Sequence, residues 1–224
     1  MIDIILQVDS LSTAASSAGK VESVWSLLGK GGPLMIPMGI LFALAVFFFI
    51  ERLLAINRAG KIDDNFMRII RDHIITGNVT AAKSLAKNTD NPVARMIEKG
   101  ISLIGKPINT IESAIENVGV LEVYKIEKNV GFLSMIAGLA PMFGFLGTIF
   151  GVSQMFYKIS LANTIQIDII SGGLYVKMVS SAAGLLLGII AFASYHFLML
   201  RIDHVANKFE SKKLEFIDIL QQPA

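Results

Sequence analysis

Three stretches of the chain carry no Asp, Glu, Lys or Arg and are long enough to cross a bilayer. Leu34 to Ile50 is a nearly unbroken apolar run of 17 residues between Lys30 and Glu51, and as a helix it reaches about 25 Å. Asn129 to Tyr157 supplies 29 such residues and Met178 to Leu200 supplies 23, each more than the roughly 20 needed to cross hydrocarbon. The pattern predicts an all-α integral membrane protein with three transmembrane helices, at 34–54, 129–157 and 176–200. Between the first two, residues 55–128 mix charge with helical periodicity. Phe66, Ile69, Ile70 and Ile74 form one apolar face and Ala81, Ala82, Leu85 and Ala86 another. Gly77-Asn78, Asn88 to Pro92 and Gly105-Lys106-Pro107 punctuate this region into three or four short helices. From about Asn109 only Gly119 interrupts the pattern, so the last of these helices is expected to run unbroken into the second span. The tail, 201–224, places Val205, Phe209, Leu214 and Ile217 among charges and reads as a further helix.

Composition agrees with a bilayer environment. The 224 residues are 53% hydrophobic, with a mean hydropathy of +0.61, against about 45–50% apolar residues in soluble domains. Lys and Arg number 20 against 18 Asp and Glu, a balance that offers no basic face for nucleic acid. Without cysteine there is no disulfide framework and no thiolate chemistry. Residues 1–33 lack a basic start and contain Asp3 and Asp9, so they read as a mature outer segment rather than a cleaved signal. Cytoplasmic flanks collect Lys and Arg. Twelve of the 20 lie between Glu51 and Lys128 and four follow Leu200. The expected topology puts the N-terminus and a short loop, 158–175, on the periplasmic side, and the 55–128 domain and C-terminal helix in the cytoplasm. Trp25, Tyr157 and Tyr175 then fall at the outer interface, where amphipathic rings prefer to sit.

The second and third spans are richer in small residues than an anchor requires. Ala137, Pro141, Gly144, Thr148 and Gly151 recur at spacings of three and four, with Gly147 alongside. Lys177, Ser181, Gly184, Gly188 and Ala191 repeat the design. Such faces let helix backbones approach closely. Thr148 lies nine residues before Tyr157, and Ser181 nine after Gly172, so the two hydroxyls are expected at similar depth. They can hold water or a protonatable partner group; ordinary packing, with hydroxyls bonded to their own backbone, is the competing account. No Asp or Glu lies within the three uncharged stretches that form the apolar centres of the spans, so a proton carrier has to come from a partner. The glycine run lacks the Lys-Ser/Thr ending of a phosphate loop. His73, His196 and His204 lack metal-site spacing, and the spans hold neither a nucleophile with a base nor paired aspartates. Metal binding, a cofactor and enzyme activity are therefore not expected.

The stretch Leu139-Ala140-Pro141-Met142-Phe143-Gly144-Phe145-Leu146-Gly147-Thr148-Ile149-Phe150-Gly151 resembles the LAP-x-x-G-x-x-GT-x-x-G helix of the ExbB/TolQ/MotA stator proteins. Ala182-Ala183-Gly184-Leu185, Gly31-Gly32-Pro33 and Glu51-Arg52-Leu53-Leu54 fit the same pattern, on the ExbB/TolQ side by size and layout. The resemblance implies a pentameric ring around an ExbD/TolR-like single-span partner, whose membrane aspartate takes and releases the proton. It implies pore-facing roles for Thr148 and Ser181, with Ser180 as a neighbouring hydroxyl, and coupling of proton motive force to the outer membrane through a TonB- or TolA-like protein. The family's frequent glutamate near the outer end of span three is replaced by Val176, with Lys177 next to it. Lys177 either snorkels to the headgroups or faces the pore mouth and holds a carboxylate, such as the partner's aspartate or Asp168, ionised. A self-sufficient ion channel or carrier, or a passive membrane scaffold, remains the alternative; a neighbouring gene for a single-span protein with a membrane Asp would favour the stator.

Overall fold

The computed structural model describes residues 34–61, 64–162 and 167–221; the N-terminal segment with Trp25 and Gly31 to Pro33 lies outside them. At Asp168 and Val176 only the backbone is described. The described residues form seven helices and no strands: α1 Met35–Ala59, α2 Asp64–Ile75, α3 Val79–Asn88, α4 Pro92–Ile101, α5 Ile108–Glu127, α6 Gly131–Ala162 and α7 Ile167–Gln221. Three helical runs, Met35–Ala59, Ile108–Leu161 and Lys177–Gln221, are long and apolar enough to cross a membrane. Their large apolar side chains point outward in number. Ile36 is 68% exposed, Phe145 64% and Ile189 63%, an arrangement that only lipid or a protein neighbour makes tolerable.

The described residues divide into two compact units, one drawn from 34–41 and 139–188 and the other from 42–138 and 189–221. In the second unit, sequence punctuation becomes turns. Gly77 and Gly105 take φ of 75° and 96°, a region glycine enters without a Cβ penalty. Asn78 caps α3 by accepting from the Ala81 N–H at 3.2 Å. Asn91 caps α4 by accepting from Val93 at 2.8 Å, ahead of Pro92 at the first turn. Gly100 lets α4 nest closely on its neighbours: a Cβ there would come within 2.6 Å of both Ile115 and Phe216. Ile97, Ile115 and Phe216 are fully buried around it.

Several inward faces differ from the periodicity reading. On α2 the buried residues are Phe66, Met67 and Ile70, while Ile69 is 39% exposed; the helix is rotated so that flexible Met67 fills the gap. On α7, Leu214 faces out and Phe216 in. The expected unbroken helix from Asn109 into the second span is interrupted. α5 ends at Glu127 and α6 begins at Gly131, with Asn129 at φ 72° in the left-handed conformation that terminates helices. The break is held by Arg52, which is 9% exposed and donates to the carbonyls of Lys128 at 2.8 Å, Lys125 at 3.4 Å and Ile126 at 3.5 Å. A cation at the negative end of a helix, bonded to its last carbonyls, is favourable, and Glu51 pairs with Arg52 from the other side. Phe48 stacks on Phe132 nearby, centroids 4.7 Å apart. The range read as an outer loop, 158–175, is also largely helical. α6 continues to Ala162 and α7 starts at Ile167, because Gly172-Gly173 costs a helix some stability without ending it.

Candidate ion-pathway site

The site lies in the first unit, where α6 and α7 meet through their small residues. Gly144 and Gly184 mark the tightest approach. A Cβ on Gly184 would stand 2.6 Å from the Ala140 carbonyl oxygen and 2.9 Å from the Gly144 Cα and the Met38 side chain. One on Gly144 would stand 3.1 to 3.3 Å from the Ser181 and Gly184 backbones. One turn along, a Cβ on Gly147 would lie 3.4 Å from the Ser180 Cβ. At Gly151 it would overlap the aliphatic stem of Lys177, which lies across the notch that glycine leaves. Gly188 is buried as well.

Burial separates residues that spacing alone puts on one stripe. On α6, Ala140, Gly144, Gly147 and Gly151 form the inward seam, while Pro141 and Thr148 sit half-buried at its edge. On α7, Ser180, Gly184, Leu187 and Gly188 are buried and Ser181 and Lys177 are half-buried. Thus Ser180, 1% exposed, is part of the contact between these helices, whereas Ser181 faces outward. The Thr148 hydroxyl donates back to the Gly144 carbonyl at 3.4 Å, a long bond that leaves it free to take a better partner.

Pro141 and Ser181 line an open groove of about 610 Å³ together with Met142, Phe145, Leu146 and Leu185. The four apolar residues were not singled out by sequence; their signal was the i, i+1, i+4, i+5 spacing from Pro141 and the i, i+4 step from Ser181 to Leu185. Pro141 has no N–H to return to the Ala137 carbonyl one turn earlier, and Ser181 supplies the hydroxyl of the groove wall. Among the described residues no carboxylate lines it. Among the described residues no three His, Asp or Glu gather to hold a metal. The wall is apolar with isolated hydrogen-bonding groups, able to seat a helix and engage one polar side chain on it, and it supplies no group that exchanges protons near neutral pH.

Residues 88–211 match the model of the MotA/TolQ/ExbB proton channel family, a span that takes in Thr148, Lys177 and Ser181. The chain is 24% identical over 175 residues to a biopolymer transport protein ExbB homolog of Methanothermobacter thermautotrophicus, covering 76% of this chain and 62% of that protein. It is 28% identical over 103 residues to the Tol-Pal system protein TolQ of Haemophilus influenzae, covering 46% and 45%. With the biopolymer transport protein exbB1 of Vibrio cholerae it shares 24% identity over 197 residues, 85% of each. The matches thus span less than two thirds of the first two relatives and most of the third. With its apolar helices and a match covering more than half its length, the chain is a multi-pass membrane protein that belongs to the MotA/TolQ/ExbB proton channel family, on its ExbB/TolQ side.

Proposed function

We propose that the chain is an ExbB/TolQ-like stator subunit of an ion-driven motor in the bacterial inner membrane. Five copies form a ring around an ExbD/TolR-like single-span partner, whose membrane aspartate carries the proton. Movement of the partner passes proton motive force to the outer membrane through a TonB- or TolA-like protein. The N-terminus lies in the periplasm, and residues 55–128 and the C-terminal helix lie in the cytoplasm. The observation that carries this reading is the groove wall at Ser181 and Pro141: it can engage a carboxylate on an apolar helix, yet among the described residues it has no acid of its own. A self-sufficient carrier needs ionisable groups inside its spans; here Lys177 stands at the outer end of the third span, and among the described residues the groove has none. The family membership and the TolQ and exbB1 names of two relatives support the same reading. Lys177, held by its stem over Gly151, is assigned the pore mouth, where its charge favours the ionised form of the partner's aspartate.

The test is ion-resolved flux in proteoliposomes holding the chain with and without a single-span partner encoded beside it. Proton flux is expected only with the partner. In a Thr148→Val, Ser181→Ala double variant the ring assembles and flux falls towards that of empty vesicles. Flux without any partner would point to a self-sufficient channel, and undiminished flux in the double variant would remove the hydroxyls from the ion path.

A further inference from the structure

The second unit contains a groove of about 530 Å³ whose charged lining is basic, with Asn57 as a neutral polar neighbour. Arg58, Lys61, Arg201, His204 and Lys208 border it, with Leu54, Ile56 and Val205 as apolar wall, and among the described residues no Asp or Glu lines it. Among the described residues, no carboxylate pairs with Arg58, Lys61, Arg201 or Lys208: the ion pairs are made by Arg52, Arg95, Lys125, Lys212 and Lys213. The end of α1 and the middle of α7 come together at Gly60, where a Cβ would stand 3.2 Å from Val205. Two bland accounts fall short. The negative end of α1 attracts Arg58 and Lys61, but Arg201, His204 and Lys208 lie in the interior of α7, where no helix end draws them. The preference for basic residues next to spans explains their sign but not their gathering. Arg201, His204, Val205 and Lys208 follow the i, i+3, i+4, i+7 spacing of one helix face, and Asp203 is off that face.

Leu54 and Arg201 stand at the very ends of the first and third spans as read from hydropathy, so the groove opens at headgroup depth. Leu54, 59% exposed at its mouth, offers the start of an acyl chain an apolar wall. Basic pockets between membrane helices are suited to anionic headgroups. We infer that this groove binds the phosphate of an anionic phospholipid, held by Arg58, Lys61, Arg201 and Lys208. The inference needs the chain to span a membrane and does not depend on the ring, the partner or the ion path.

The experiment reconstitutes the purified full chain in vesicles of phosphatidylcholine with a minor fraction of phosphatidylglycerol, re-extracts it, and weighs the retained lipids by native mass spectrometry. Wild type is expected to retain phosphatidylglycerol above its share of the vesicle. Arg201→Gln and Lys208→Gln are each expected to lower that enrichment roughly two- to fivefold, and the fourfold Gln variant to abolish it. Lys83→Gln/Lys87→Gln, which removes two exposed charges from α3, leaves it unchanged, and Arg201→Lys keeps most of it. Equal enrichment in wild type and the single variants, or an equal fall in the α3 control, would overturn the site. Complete displacement of the lipid by inorganic phosphate would reject a lipid in favour of a soluble phosphate.

Discussion

Glu122 is 4% exposed on α5, with Arg95 donating to it at 2.6 Å and Lys125 at 2.6 Å. Burial, the largest single influence, pushes its carboxyl up, but the hydrogen bonds and charges of Arg95 and Lys125 together outweigh it and hold the carboxyl below its ordinary value. A lowered carboxyl contributes stability that is present above the ordinary carboxylate range and lost as pH falls through the folded-state value. Wild type should therefore lose more stability than Glu122→Gln in melts run from neutral to acid pH in detergent, the difference between the two curves closing at the acid end. At neutral pH Glu122→Ala should cost about 2 kcal/mol, less than a fully buried pair because Arg95 is partly wet. In the sequence Glu122 is one more charge in the helical run from Asn109; what the run does not reveal is that α4 brings Arg95 across from 27 residues away. Lys177 was legible as an unusual charge, whereas the notch at Gly151 that seats its stem needed two helices in register. If that notch fixes the ammonium at the pore mouth, Lys177→Met should leave assembly intact and lower partner-dependent flux while Lys177→Arg keeps part of it; a snorkelling lysine predicts little change from either.

At the level of helices, the glycines fall into two kinds that spacing does not distinguish. Gly184 and Gly144 face backbone atoms at the approach of α6 to α7, while Gly39 and Gly138 have nothing within 4 Å of a Cβ. Gly184→Ala should therefore destabilise the protein more than Gly144→Ala. Gly39→Ala should be neutral or stabilising by about 0.5–1 kcal/mol, the helix-propensity gain alone, as read by thermal melting of the solubilised chain. The same outcome is expected at Gly138 unless a neighbouring subunit lies there. Legibility followed the same division. The three apolar helices and the turns at Gly77, Asn91 and Gly105 could be read because their signals are local. The break at Lys128 to Val130 could not, because its stabiliser, Arg52, comes from 76 residues earlier. Asn129→Gly should be tolerated there, and Asn129→Val should cost about 1–2 kcal/mol, since a β-branched residue resists positive φ.

For the molecule as a whole, the outward apolar faces of α1, α6 and α7 need more covering than the chain itself provides. If five copies close into a ring, native mass measurement in detergent should return five times the chain mass of 24.3 kDa; a stable monomer would sink the ring. Within each copy, the clasp between Arg52 on α1 and the end of α5 also constrains how such a sequence can diverge. Arg52 grips main-chain oxygens at positions 125, 126 and 128, and every amino acid supplies those oxygens. The clasp therefore places no demand on side-chain identity at these three positions and a strict one at its own. In an alignment of descendants, position 52 should stay arginine while its three acceptor positions drift, so a search for co-varying pairs would pass over the contact.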